Sequence, residues 1–214
     1  MKIAIIGATG FVGPKVVNEA LSRGHEVTAF ARQPEKLDIE NEMLTKQSVD
    51  VTDTDILANL MVGHDVVIST FNAGWTNPNL YSDFLKGARS IQEATKKAGI
   101  KRYIFVGGAG SLEIEPGVQL VDTPNFPAEY KPGATSARDY LTELKNEQEL
   151  DWTFLSPAIN LHPGNRTGVY RLGTDTPVFN EAGKNDISVD DLAVALLDEV
   201  EQNRFVKKRF TLGY

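Results

Sequence analysis

The sequence predicts a doubly wound α/β fold, a parallel sheet with helices on both faces. Three features predict it. Short, unalternating runs of β-branched residues recur along the chain, as strands buried on both faces require. Helix-length stretches lie between them, so successive strands are joined by crossovers. Glycine closes several of those helices, at Gly24, Gly63 and Gly99.

The first run, Ile3-Ala4-Ile5-Ile6, ends at Gly7 and reads as a strand. Phe11 to about Arg23 is helical, and Val27 to Ala31 is the second strand. A weaker third covers Met43 to Val49, followed by a helix from Asp53 to Met61. Val66-Val67-Ile68 is the fourth strand, Leu80 to Ala98 a long helix and Tyr103 to Val106 the fifth strand. Gly107 to Gly133 contains Pro116, Pro124, Pro127 and Pro132 without periodicity, the pattern of a lid or binding loop. Ala134 to about Glu149 is helical, and Trp152 to Leu155 is the sixth strand. A loop from Asn160 to Gly168 leads into short strand-like pieces, a final helix from Val189 to Gln202 and a final strand from Arg209 to Leu212. No linker interrupts the chain, so one domain over residues 1–214 is expected, with 157–214 as a small extension on the substrate side.

Composition removes several kinds of chemistry. The 214 residues include 22 Lys and Arg against 29 Asp and Glu, a net charge of −7, which disfavours a nucleic-acid partner. With no cysteine and three histidines, the chain has no disulfide, thiolate nucleophile, cysteine-held iron–sulfur cluster or zinc ribbon, and no metal site is expected. The sequence contains neither an apolar stretch long enough for a membrane span nor a secretory leader pattern, so a cytoplasmic protein is expected.

The most specific motif is Gly7-Ala8-Thr9-Gly10-Phe11-Val12-Gly13, between the first strand and the first helix. Glycine permits a tight turn and close approach of the backbone to a pyrophosphate, and the helix N-terminus presents N–H groups to the anion. Pro14 sits in the first turn, where a missing N–H costs little. Gly7, Thr9, Gly10, Phe11 and Val12 are thus candidate dinucleotide contacts, and the implied strand order is 3-2-1-4-5-6. The second strand ends Phe30-Ala31-Arg32-Gln33, without the carboxylate that would hold an NAD ribose. Arg32 instead offers a planar donor fork for a 2′-phosphate, with Lys36 as a second cation, so NADP is favoured over NAD unless Arg32 is merely a solvated loop charge.

The Gly-x-x-Gly-x-x-Gly spacing is similar to that of the short-chain dehydrogenase/reductase superfamily, atypical branch, whose fold is the Rossmann fold. More narrowly, the chain resembles the NADH-flavin reductase subfamily, relatives of the NmrA-like and biliverdin reductase B proteins. Gly63-His64-Asp65-Val66-Val67, Asn72-Ala73-Gly74-Trp75, Val106 to Ser111, Trp152 to Pro157 and Ile187 to Ala193 carry this narrower resemblance. It implies that Asp50 and Val51 meet the adenine edge, with a helix-capping role for Asp50 as the alternative. It implies that Thr70, Phe71, Asn72 and Gly107 flank the nicotinamide and its ribose, with Pro157 on the substrate side. Ser111 falls near the superfamily's catalytic serine, or is simply a turn residue. Trp75 offers a flat wall for a planar substrate, or ordinary loop packing. His162 follows the sixth strand on the ligand-binding rim, as a substrate donor or plain surface. His25 and His64 open strands at the opposite rim and read as turn or cap residues.

The chain departs from the superfamily at its Tyr-x-x-x-Lys proton-transfer pair. Four residues after Tyr130 stands Ala134, and after Tyr140 stands Leu144. Lys145 is five residues from Tyr140, about 140° around a helix at about 100° per residue, and the two cannot point together. Hydride transfer to a flavin needs no such pair, because the cofactor supplies the hydride and solvent supplies the proton. The reading is an NADPH-dependent reductase of free flavin as substrate, or of a similar planar acceptor such as a quinone or bilin. The alternatives are a non-catalytic NADP-binding sensor of NmrA type and a nucleotide-sugar epimerase or dehydratase with a relocated acid.

Overall fold

The computed structural model describes all 214 residues. The alternating half runs β1 (Lys2–Ile6), α1 (Gly13–Ser22), β2 (Glu26–Ala31), β3 (Leu44–Ser48), α2 (Thr54–Met61), β4 (Val66–Ser69), α3 (Leu80–Lys97) and β5 (Arg102–Val106). The proline-bearing segment holds 3-10 turns and a small hairpin, β6 (Glu113–Glu115) and β7 (Val118–Gln119). Then follow α4 (Lys131–Leu144), β8 (Asp151–Ser156), β9 (Asn160–His162), β10 (Arg171–Gly173), β11 (Asp186–Ser188), α5 (Val189–Gln202) and β12 (Lys208–Gly213).

The main sheet has the order β10-β12-β8-β5-β4-β1-β2-β3. Its central run, β3-β2-β1-β4-β5-β8, is parallel throughout and is the predicted order, with β8 as the sixth strand. The C-terminal stretch also builds the sheet: β12 pairs parallel with β8, and β10 closes the edge antiparallel. Alternate residues of each strand feed two separate cores. Ile3 and Ile5 of β1 pack with α1 and α5, and Ala4 and Ile6 pack with α2, α3 and α4. That division explains the unalternating apolar runs, since both faces of each central strand are covered.

Helix α4 ends at Leu144, short of the expected Glu149. The Glu147 carboxylate accepts hydrogen bonds from the Glu149 N–H at 2.6 Å and the Leu150 N–H at 3.3 Å, turning the chain into β8. At the other end of the molecule, Ser188 caps α5 by accepting from the Asp191 N–H at 3.0 Å. The fully buried Asp191 carboxylate accepts from the Thr167 N–H at 2.7 Å, the Thr167 hydroxyl at 2.6 Å, the Gly168 N–H at 2.7 Å and the Tyr214 hydroxyl at 2.7 Å. Burial works against ionisation, but these donors outweigh it and hold the carboxyl below its ordinary range. The loop after β9 and the end of the chain are thereby tied to α5. No helix is long and apolar enough to cross a membrane.

Candidate functional site

Strand order reverses between β1 and β4, and a cleft opens there beyond the carboxyl ends of the strands. Its floor is the Gly7–Gly13 turn. Gly7 has a φ of +81°, and a Cβ there would lie 2.8 Å from the Thr70 carbonyl oxygen. A Cβ on Gly13 would lie 2.3 Å from the Gly7 carbonyl oxygen, so these two glycines fix the turn against the protein itself. Gly10 is different. A Cβ there would meet only the Gly7 carbonyl oxygen, at 3.3 Å, and the residue lines the cleft. The N–H groups of Phe11 and Val12 find no backbone partner. Glycine at the point of ligand approach and free donors at the mouth of α1 are what a pyrophosphate requires, so the turn fits a dinucleotide.

One end of the cleft carries charge. Arg32 lines it and makes no ion pair, and its carbonyl accepts from the Ser48 hydroxyl at 3.1 Å. Asp50 sits beside it, with one carboxylate oxygen accepting from the Thr52 N–H and hydroxyl, both at 2.9 Å. Those two hydrogen bonds, helped by the charges of Arg32 and Lys86, hold Asp50 below the usual carboxylate range. Asp50 therefore orders the turn into α2 and still faces the cleft, as does Val51. Lys86, on α3, supplies the second cation of this end; the exposed Lys36 is not part of the wall.

The other end is apolar. Thr70, Phe71, Asn72 and Gly107 line the passage to it, and Pro157 closes one side. The Thr70 hydroxyl donates to the Ile6 carbonyl at 2.9 Å, locking β4 to β1 beneath the cleft. Trp75 is 57% exposed and meets Tyr130 edge to face, with ring centroids 5.6 Å apart. Phe126 and Leu120, from the proline-bearing segment, add to this wall. From α4 the cleft receives only Gly133, Ala134 and Ala137. Gly133 and Ala137 are four residues apart on one helical face, the relationship a Tyr-Lys pair requires, and neither can carry a proton. The whole cleft measures about 1130 Å³. That exceeds the ~300–1,000 Å³ of ordinary ligand pockets, as a site for a ligand the size of a dinucleotide would.

Two expected site residues lie elsewhere. Ser111 is buried, and its hydroxyl and carbonyl accept from Arg209 Nη1 at 3.0 and 2.8 Å. The 3-10 turn Ala109–Ser111 points it away from the cleft, so it joins the end of β5 to β12 and is not a catalytic serine. His162 likewise does not line the cleft. Its Nδ1 lies 2.8 Å from the Pro163 carbonyl, and its Nε2 lies 3.8 Å from Asp186. His25 and His64 are structural as expected: His25 Nε2 lies 3.0 Å from Glu201, and His64 sits between the Met61 carbonyl and the Thr28 hydroxyl, 2.8 Å from each. Tyr140 is fully buried with its hydroxyl 3.0 Å from that of Tyr103, and burial pushes its phenol well above the ordinary range. Sequence reasoning missed Lys86, Phe126, Ile159 and the cleft-facing position of Tyr130. Their roles depend on which elements pack together, although the spacing of Lys86 and Ser90 along one helix face was available.

The parallel sheet with its glycine-rich turn at the switch point defines a Rossmann-type dinucleotide-binding protein. The chain matches the NAD(P)H-binding family over residues 7–203 and belongs to it. It is 38% identical to the Bacillus subtilis protein YwnB over 216 residues, covering 99% of this chain and 98% of that one. The crystal structure of a putative epimerase from Bacteroides thetaiotaomicron superposes with a TM-score of 0.93 at 46% identity, over 100% of this chain and 96% of that one. That of a putative NADH-flavin reductase from Streptococcus pneumoniae superposes with a TM-score of 0.84 at 36% identity, over 100% and 99%.

Proposed function

We propose that the protein is an NADPH-dependent reductase that delivers hydride to a planar acceptor such as free flavin. The observation that carries this reading is the division of one cleft into two ends. A free guanidinium stands at the dinucleotide end, and an aromatic slot in which Tyr130 has no lysine four residues on stands at the other. When bound, the nicotinamide C4–H bond supplies a hydride; NADPH becomes NADP⁺, and the acceptor takes up that hydride and one proton from water. The chain's own work is to hold the two rings in contact and to exclude water between them. Arg32 holds the 2′-phosphate, the Gly7–Val12 turn the pyrophosphate, and Thr70 to Asn72 with Gly107 the nicotinamide end. Trp75 and Tyr130 hold the acceptor. The name borne by the Streptococcus relative supports the flavin acceptor, though the nucleotide it gives is NADH.

The name borne by the Bacteroides relative favours a second reading, epimerisation. That chemistry requires proton transfer by positioned groups at the reacting carbon or its hydroxyl. Gly133 and Ala137 leave the α4 face without one, and Tyr130, at the start of that helix, is followed four residues on by Ala134 in place of a lysine. Steady-state oxidation of NADPH with riboflavin or FMN, run beside a nucleotide-sugar panel, separates the two readings. Saturable turnover with flavin is expected. Turnover of a nucleotide sugar without flavin activity would favour the epimerase. Tight NADP binding without any turnover would favour a sensor.

A further inference from the structure

We infer that the acceptor is uncharged: a quinone, or a flavin without its phosphate, in preference to FMN. The inference rests on the reductase reading and narrows it. Four charged residues line the cleft: Arg32, Asp50, Asp83 and Lys86. Arg32, Asp50 and Lys86 stand together at the dinucleotide end, whereas Asp83 accepts from Asn77 Nδ2 at 2.8 Å, beside the loop that carries Trp75. Lys86 and Ser90 are four residues apart and share one face of α3. The Ser90 hydroxyl donates to the Val51 carbonyl at 2.5 Å, which turns that face toward Asp50 and Val51.

The acceptor end is bounded by Trp75, Phe126, Tyr130, Ile159 and Leu161 over the small residues of α4, with no cationic side chain in its wall. Trp75, Tyr130 and Ile159 are 57, 51 and 47% exposed, so the slot presents apolar surface to its ligand. The cations nearby do not serve it. Arg138 is held by Asp122 at 2.9 Å and Asp139 at 3.0 Å, and Lys131 lies outside the wall. Glu129 is the residue before Tyr130, and Asp122 lies in the same segment, so the charge around this mouth includes carboxylates. A phosphate monoester carries close to two negative charges at neutral pH, and phosphate sites are built from guanidinium groups, ammonium groups or helix N-termini. This end offers no guanidinium or ammonium group, and the α4 N-terminus that reaches it is partly closed, since the Lys131 N–H donates to the Ala128 carbonyl and Pro132 has no N–H; the other end of the same cleft has both cations and the open N-terminus of α1.

The test compares kcat/KM for riboflavin, FMN and menadione with the NADPH-saturated protein. Riboflavin and FMN share one ring system and differ by the phosphate; menadione separates a quinone from a flavin preference. Riboflavin is expected to match or exceed FMN. An FMN advantage of about tenfold, the scale of a charge-assisted phosphate contact, would overturn the inference. Ile159→Arg places a cation at the exposed rim and is expected to raise kcat/KM for FMN about threefold without raising that for riboflavin. Quenching of tryptophan fluorescence by riboflavin and FMN in the NADP⁺-saturated protein, with Trp75→Phe as control, reads acceptor choice without turnover. Tighter FMN binding there defeats the uncharged-acceptor inference, while riboflavin binding without turnover with any acceptor defeats the reductase reading alone.

Discussion

The Trp75 indole lies directly against Gly133: a Cβ at position 133 would come within 2.7 Å of Trp75 Cζ3 and 3.1 Å of Cη2. The missing side chain on α4 is what lets the aromatic wall lie where it does. Gly133→Ala is expected to displace the indole, since overpacking costs about 1–3 kcal/mol. Acceptor kcat/KM should fall about tenfold, which corresponds to about 1.4 kcal/mol. The Kd for NADPH should stay within about twofold, because the dinucleotide end is untouched. Steady-state kinetics and a fluorescence titration read the two quantities. Unchanged kinetics would show that the Trp75–Gly133 packing does not shape the acceptor slot.

Arg32 is uncommitted to any carboxylate, so its removal leaves nothing else unpaired. A hydrogen bond to a charged group contributes about 1.5–3 kcal/mol. Arg32→Ala should therefore weaken NADPH binding by about 10- to 100-fold. NADH binding should be nearly unaffected. Equal losses for the two nucleotides, measured by titration, would contradict contact with the 2′-phosphate.

Asp191 gives the fold a defined acid sensitivity. Its carboxyl is held below the ordinary value of about 3.9, so the ionised form favours the folded state. That contribution is fully present above the unfolded value and is lost as pH falls through the folded one. Asp191→Asn cannot accept all four bonds and should cost about 2–4 kcal/mol at neutral pH. The Tm difference between parent and variant should be largest near neutrality and shrink as pH drops through the acid range. A gap independent of pH would show that the carboxylate's charge is not what holds the loop after β9.

Ser111 and His162 supply the complementary case. Ser111→Ala leaves Arg209 with fewer acceptors and should lower stability by about 1–2 kcal/mol while kcat changes less than about twofold. His162→Ala should also leave kcat nearly unchanged. A loss of about a thousandfold in either variant, about 4 kcal/mol of barrier, would return that residue to the catalytic site.

The central strands were legible because burial on both faces leaves a mark in the sequence itself: Ile3 to Ile6 and Val66 to Ile68 have no polar alternation. The glycine turn and Arg32 were legible for the same local reason, since each is defined by its place next to a strand end. The strands of two or three residues, such as β7 and β11, carry no period and exist only through their partners. Ser111 shows the limit most plainly. Its role depends on Arg209, 98 residues away, whose hydrogen bonds turn it from the cleft into the interior. The wall formed by Trp75 and Tyr130 is likewise a product of the α3 and α4 packing, not of either segment alone.

The most direct measurement mixes the NADPH-loaded protein with riboflavin under anaerobic conditions and follows both absorbance bands together. The reductase account predicts that riboflavin is bleached mole for mole with NADPH oxidation, and that Arg32→Ala slows the reaction at limiting NADPH but leaves it unchanged at limiting NADH. NADPH that stays bound and unoxidised in the presence of riboflavin, FMN and menadione would contradict it.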